Sequence, residues 1–357
     1  MSHSPANGSE QVAFIGLGNL GQPMAKNLSK WLHEKGYPSL MVWTRNHNKA
    51  TKFAHDHSEY KVVATDSLKE IVEHCDVIIT SLANDHAAEE VYGTFIRSLK
   101  ELSTSNTLST RPIRSKYFID TSTLYPQTTG SLERRLTHPS LLLPGRSIHF
   151  VSAPVFGAPP AAASAQLVVC MSGTRKATEI ARRLMIPSMG RKTLECGADV
   201  EKAAKLKLCG NSMILAVVES CAESLTLADK CDVGAELLYD FIQDFFPIPS
   251  YIGYGAKMVN NTFEAQGGFT LTGGMKDAQH IKDLAKEYRS PMPIIDIASN
   301  HLLTASAHAQ SSNPKDRDWS ALVAGPRLAA GLMPFSRDEL LSKRLEGDQA
   351  KYGHHGK

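Results

Sequence analysis

The chain has 357 residues, of which 42% are hydrophobic and 21% charged, and a net charge of +3. That length suits two globular domains, and the composition is that of an ordinary soluble protein. The small charge and the lack of a dense Lys/Arg stripe argue against a nucleic-acid partner, and no run approaches the roughly 18 apolar residues of a membrane span.

In chain order, the polar opening "MSHSPANGSEQ" has neither an apolar core nor an Arg-rich amphipathic pattern, and the closing "GHHGK" matches no lipidation or peroxisomal signal. A cytoplasmic protein with a disordered segment 1–10 is expected. Then "QVAFIG" (11–16), "LMVWT" (40–44), "KVVAT" (61–65), "DVIITSLA" (76–83), "YFIDTS" (117–122), "IHFVSAPV" (148–155) and "LVVCMSG" (167–173) read as strands. Helix-length segments separate them, such as "SLKEIVEHC" with Ser67 as its N-cap. Alternation of this kind, with near-continuous apolar strands, predicts an α/β, doubly wound, mostly parallel sheet of Rossmann type over 11–197. The polar stretch 102–116 reads as a surface insertion. From Ala198 to Asp229 one long proline-free helix follows, and 233–245, 250–260, 275–289 and 293–308 are helical in character. An all-α domain over 198–330 is therefore expected, entered through that helix. Residues 308–318 read as a polar loop, and 331–357 as a C-terminal extension, partly disordered.

The six cysteines, at 75, 170, 196, 209, 221 and 231, form no CxxC pair and read as reduced core thiols. The fourteen histidines show no HxxxH or HxxEH spacing, and His55 and His57 fit a solvated helix face. No metal site is expected.

The chemistry begins at "VAFIGLGNLGQPMAKNL", where Gly16, Gly18 and Gly21 have G-x-G-x-x-G spacing between a strand and a helix. Gly16 permits a tight turn, Gly18 lets backbone approach a pyrophosphate, and Gly21 brings helix close to strand. The helix N-terminus then offers N–H groups to the phosphates. At the end of the second strand an NAD site normally carries an acid for the ribose. Here the residues are Thr44, Arg45 and Asn46. A forked cation suits a 2′-phosphate, which predicts NADP(H) over NAD(H).

On a helical wheel through "EKAAKLKLCGNSMILAVVE", with Lys207 at zero, Asn211 falls at about 40°, Val218 at about 20° and Ile214 at about 340°. Ala203, Ala204, Leu206, Leu208, Leu215 and Val217 flank them, while Glu201, Lys202, Lys205, Ser212 and Glu219 gather on the opposite side. Lys207 and Asn211 thus share the apolar stripe. A lysine there either snorkels to the rim or needs a partner, a lowered pKa or a cavity. A neutral form would serve proton transfer.

With these motifs in order, the chain resembles the β-hydroxyacid dehydrogenases. That family includes 3-hydroxyisobutyrate dehydrogenase, glyoxylate/succinic semialdehyde reductases and, more distantly, 6-phosphogluconate dehydrogenase and the imine reductases. The resemblance runs from about 11 to about 325. It rests on "FIGLGNLGQPMAKNL", "DTSTLYP" (120–126), "SAPVFGAPPAAASAQL", "KLKLCGN", "GGMKDAQHI" and "DWSALV" (318–323). It implies Lys207 as general acid/base, Asn211 orienting substrate or lysine, and Ser122 bonding the substrate. The cofactor would be held by Gly16, Gly18, Asn19, Leu20, Gly21, Thr44, Arg45, Asn46, Leu82, Ala83, Thr123 and Lys276. For Asp277 it leaves open an orienting role or only a favourable charge early in a helix. Phe156-Gly157-Ala158 stands where the family reads Ser-Gly-Gly, so these substrate-site residues lose a polar anchor and gain an aromatic surface. The resemblance implies an NADP-dependent dehydrogenase or reductase acting on a CH–OH group or its carbonyl, in a homodimer or dimer-based oligomer. Its alternatives are an imine reductase or reductive aminase and a catalytically silent NADP-binding protein.

Overall fold

The structure, a computed structural model, describes residues 10–104, 115–141, 147–265, 268–312 and 317–337. The expectations for residues 1–9, most of 102–116 and the extension past 337 lie outside these. The chain divides into two compact units, 1–207 and 208–357.

The first unit alternates strand and helix as its apolar runs predict. In order come β1 (Val12–Ile15), α1 (Gly21–Glu34), β2 (Met41–Trp43), α2 (His47–Asp56), β3 (Val63–Ala64), α3 (Leu68–His74), β4 (Val77–Thr80) and α4 (Asp85–Thr104). β5 (Lys116–Asp120), α5 (Pro126–Leu136), β6 (Ile148–Ser152), β7 (Val155–Phe156), α6 (Pro159–Ala163), β8 (Leu167–Gly173), α7 (Arg175–Met185) and β9 (Gly190–Gly197) complete it. One sheet runs β3-β2-β1-β4-β5-β6-β8-β7, with β9 paired to β8. From β3 through β6 every pairing is parallel; β8 is antiparallel to β6 and β7. Successive residues of a strand point to opposite faces. Accordingly Val12 and Phe14 join a core with α1 and α7, while Ala13 and Ile15 join a second core with α4 and α5. Helices therefore cover both faces of the sheet.

Two local readings change. The stretch 148–155 is two strands, because Pro154 has no N–H to continue a ladder. β9 was not predicted: "GRKTLECG" is a polar strand, largely open to solvent, and lacks the apolar run that marks its neighbours. Ser67 caps α3 as its position predicts, accepting the Glu70 N–H at 3.1 Å.

The long helix, α8 (Val200–Lys230), crosses the boundary between the units instead of starting after it. Its first turns are tied to the sheet: the Ala203 N–H donates to Ser172 Oγ at 2.9 Å, and Val200 packs into the core beside α4.

From Leu208 onward the described elements are helical, with no strand longer than an isolated bridge. α9 (Ala235–Phe245), α10 (Pro249–Val259), α11 (Leu271–Glu287), α12 (Pro293–Ser312) and the short α13 (Ala324–Ala329) follow α8. α12 continues to Ser312, so the expected loop from 308 is partly helix. α11 begins a turn earlier than expected, where Thr270 Oγ1 accepts the Gly273 N–H. Two buried polar hubs hold this unit. Asp318 accepts from the Phe269 N–H, the Ser320 N–H and Lys257 Nζ. Arg337 makes a fork to Asp229 at 2.7 and 2.8 Å and also meets Glu236. No described helix is long and apolar enough to cross a membrane.

Candidate active site

The strand order turns around between β1 and β4, and in open α/β sheets ligands bind at the carboxyl ends of strands beside such a switch point. The loop after β1 is the glycine motif. Gly16 has φ +99°, and a Cβ there would overlap the Ser81 carbonyl oxygen at the end of β4. A Cβ on Gly21, the first residue of α1, would overlap the Gly16 carbonyl oxygen. Both glycines are required by the protein's own backbone. Gly18 differs, since no protein atom lies within 4 Å of a Cβ built on it. Packing does not call for glycine there, whereas a close-lying phosphate group does. Asn19 is exposed and Leu20 precedes α1, whose first turn carries no side-chain cap and no acid. This loop fits a dinucleotide pyrophosphate.

After β2, Thr44 is half-buried and Arg45 and Asn46 are exposed. Asn46 is the N-cap of α2, its side chain accepting from the Lys49 N–H, so a local structural role accounts for it. Among the described residues Arg45 makes no ion pair, and its exposed side chain stands at the strand end.

Beyond β4 and β5 the structure brings Leu82 and Ser122 together: the Leu82 N–H donates to Ser122 Oγ at 2.8 Å. Ala83 is exposed and Thr123 half-buried in the same two loops. Beneath Ser122 lies Asp120, 2% exposed. Its Oδ1 accepts the Ser122 N–H at 2.7 Å and its Oδ2 accepts from Thr80 Oγ1 at 2.9 Å. Tyr92 Oη lies 2.9 Å from the same Thr80 hydroxyl. Burial pushes the Asp120 carboxyl above its ordinary range, opposed by hydrogen bonds from Ser122 and Thr80. Asp120 was missed as a site residue. Its signal was available in "YFIDTS": an acid closing a buried strand, two residues before a serine whose N–H it can bond.

Lys207 is 8% exposed, and its Nζ stands 4.3 Å from the centroid of the Phe156 ring. That distance is within the range of a cation–π contact, which favours the charged ammonium. Phe156 ends β7; Gly157 follows at φ +134°, and a Cβ on it would lie 2.6 Å from Leu167 Cδ2. Ala158 then precedes α6. Cys170 on β8 is a buried neighbour, its thiol pushed up to about 12 by burial, with Lys207 acting the other way.

In the second unit Asn211, 4% exposed, donates through Nδ2 to Asp277 Oδ2 at 2.6 Å. Lys276 Nζ lies 3.0 Å from Asp277 Oδ1. Asp277 is buried in the second turn of α11, beyond the reach of a first-turn helix-dipole effect.

The wheel drawn from the sequence needs correction along α8. Ser212 and Glu219 are buried, Glu219 only 1% exposed with His301 Nδ1 at 2.6 Å, although they were placed on the solvated side. Leu206, placed among apolar residues, is exposed. Lys202 is exposed, but Lys205 is half-buried and paired with Glu201 at 3.1 Å. A helix buried on more than one side does not resolve into a single stripe. The cysteines divide similarly: 75, 170 and 221 are buried, 196 is half-buried, and 209 and 231 are exposed, so the core reading holds for half of them.

The switch point, glycine loop and helical second unit define a dinucleotide-binding α/β protein with an all-helical C-terminal region. Residues 11–197 match the NAD binding domain of 6-phosphogluconate dehydrogenase. The NADH-dependent oxidoreductase ucdB of Aspergillus ustus is 30% identical over 320 residues, 89% of this chain and 99% of that protein. The mitochondrial 3-hydroxyisobutyrate dehydrogenase of Mus musculus is 28% identical over 297 residues, 80% of this chain and 79% of that protein. Among solved structures, the 3-hydroxyisobutyrate dehydrogenase of Mycobacterium tuberculosis, determined with L-serine, shares the fold. Its TM-score is 0.66 at 24% identity, with 89% of this chain and 99% of that one covered. The chain belongs to the β-hydroxyacid dehydrogenase family of oxidoreductases, built on an NAD(P)-binding domain of the 6-phosphogluconate dehydrogenase type.

Proposed function

We propose that the protein is an NADP(H)-dependent reductase or dehydrogenase interconverting a carbonyl, in an aldehyde or keto acid, with a β-hydroxyacid-type alcohol. The observation that carries this reading is Lys207, a buried lysine with its ammonium held over an aromatic ring. When bound, the nicotinamide supplies hydride to the carbonyl carbon or accepts it from the carbinol. Gly16, Gly18, Asn19, Leu20 and Gly21 would hold its pyrophosphate, with Leu82, Ala83, Thr123 and Lys276 as further contacts and Thr44, Arg45 and Asn46 at the ribose.

In reduction Lys207 Nζ donates a proton to the carbonyl oxygen; in oxidation neutral Nζ takes it from the hydroxyl. Ser122 would bond the substrate oxygen, and Asn211, braced by Asp277, would orient substrate or lysine. The relative from Aspergillus ustus carries NADH in its name. The guanidinium of Arg45, which pairs with no acid among the described residues, supports the opposite preference here.

The test is NADPH oxidation over short semialdehydes, keto acids and aromatic carbonyls, with and without added amine, run beside Lys207→Ala. Turnover that requires amine would favour imine reduction, and NADPH binding without turnover would favour a silent protein. Equal rates for variant and parent would sink the mechanism. We further propose a cytoplasmic homodimer. The exposed Leu237, Phe241 and Phe245 along α9 support a second copy as partner, which light scattering would check.

A further inference from the structure

Resting on the proposed role of Lys207, we infer that Phe156 sets specificity, and that the group beside the reacting carbonyl is uncharged and apolar, an aryl group above all. The ring is 4.3 Å from the proton-donating nitrogen. A carbonyl oxygen bonded to that nitrogen brings its carbon, and the substituents on that carbon, alongside the ring. The segment that carries the ring offers no polar side chain to hold an anion. "VFGAPPAAA" (155–163) contains no charged side chain and no hydroxyl or amide. Prolines occupy the first two positions of α6, so two N–H groups that would point from a helix start do not exist. The next two are spent on Ala158, whose carbonyl accepts from Ala161 and Ala162 at 2.9 and 3.1 Å.

The backbone that carries the ring is also held in place. Phe156 pairs with Val168 of β8, and Gly157 turns the chain where a side chain would strike Leu167. A carboxylate on this side of the lysine would give up its water and gain no side-chain donor from the segment, whereas an aryl group would gain apolar contact.

The experiment compares benzaldehyde with succinic semialdehyde on the parent, Phe156→Ser and Phe156→Leu. It adds thermal-shift titrations with benzyl alcohol and 4-hydroxybutyrate in the presence of NADP+. The parent is expected to favour the aryl aldehyde in kcat/KM by about tenfold or more. Phe156→Ser is expected to erase most of that ratio through KM for the aryl substrate, and Phe156→Leu to keep most of it. Benzyl alcohol is expected to raise the Tm of the parent more than 4-hydroxybutyrate does. Preference of the parent for the carboxylate substrate, or a ratio unmoved by Phe156→Ser, overturns the inference and leaves the proposed function standing. Benzyl alcohol binding without turnover of either aldehyde upholds the apolar site and overturns the reaction instead.

Discussion

The loop after β1 and the segment from β7 into α6 both carry residues of the proposed site, and they are specified in opposite ways. At Gly16 and Gly21 the demand comes from the backbone, since any side chain would overlap a neighbouring carbonyl. At Phe156 the backbone accepts many residues, and the identity of the side chain decides what Lys207 faces. A region ruled by close approach is nearly invariant in its chemistry, because only glycine solves the steric problem. A region ruled by side chains can change its ligand while the fold stays the same.

The largest effect tests the first half of this contrast. Gly16→Ala must move the Ser81 backbone while holding alanine at φ +99°, at a cost on the order of 3 kcal/mol. A marked fall in Tm, with loss of NADPH binding followed by fluorescence, is expected. Gly18→Ala separates steric need from ligand need. Its Cβ meets no protein atom, so Tm should stay within about 2 °C of the parent. NADPH affinity should still fall by about tenfold or more. Equal Tm losses for the two variants would erase the distinction between the glycines.

On the other side of the contrast, Lys207→Ala should lower kcat by about 10²- to 10⁴-fold with NADPH affinity unchanged. Stopped-flow turnover together with equilibrium binding checks both halves. A parallel loss of cofactor binding would make Lys207 a cofactor ligand and not the proton donor.

Arg45→Ala comes next. Arg45 is exposed and pairs with no described acid, so removing it should leave Tm unchanged and lower the NADPH-to-NADH ratio of kcat/KM by about tenfold. An unchanged ratio would move cofactor discrimination elsewhere in the loop.

What could be read before the structure follows the same division. Apolar strands, glycine spacing and an inward lysine are local patterns, and they located β1 to β6, β8, the loop and Lys207, with β7 merged into β6. β9 escaped because a polar edge strand carries no apolar alternation. Ser212 and Glu219 escaped because one helical stripe cannot describe a helix buried on several sides. Asp318 and Arg337 became visible only when chain-distant partners met them, Lys257 donating to Asp318 and Asp229 accepting from Arg337. The contact of Phe156 with Lys207 is of this kind too, since a β-strand end and a helix far apart in sequence create it.

The smallest effect concerns Asp120, which lies beneath Ser122 and outside both regions. Burial raises its carboxyl above the ordinary value of 3.8, with Ser122 and Thr80 opposing. The unfolded chain releases this proton in the ordinary range, while the folded chain keeps it to higher pH. Its contribution to stability is therefore full below the ordinary range and is lost as pH rises through the raised folded value. Asparagine cannot ionise, yet its Oδ1 can still accept the Ser122 N–H and its Nδ2 can donate to Thr80 Oγ1. Relative to the parent, Asp120→Asn should gain stability as pH rises from about 4, read from urea unfolding at a series of pH values. A difference independent of pH would mean that the carboxyl titrates alike in both states, and its burial would then have no electrostatic cost for the hydroxyl it holds.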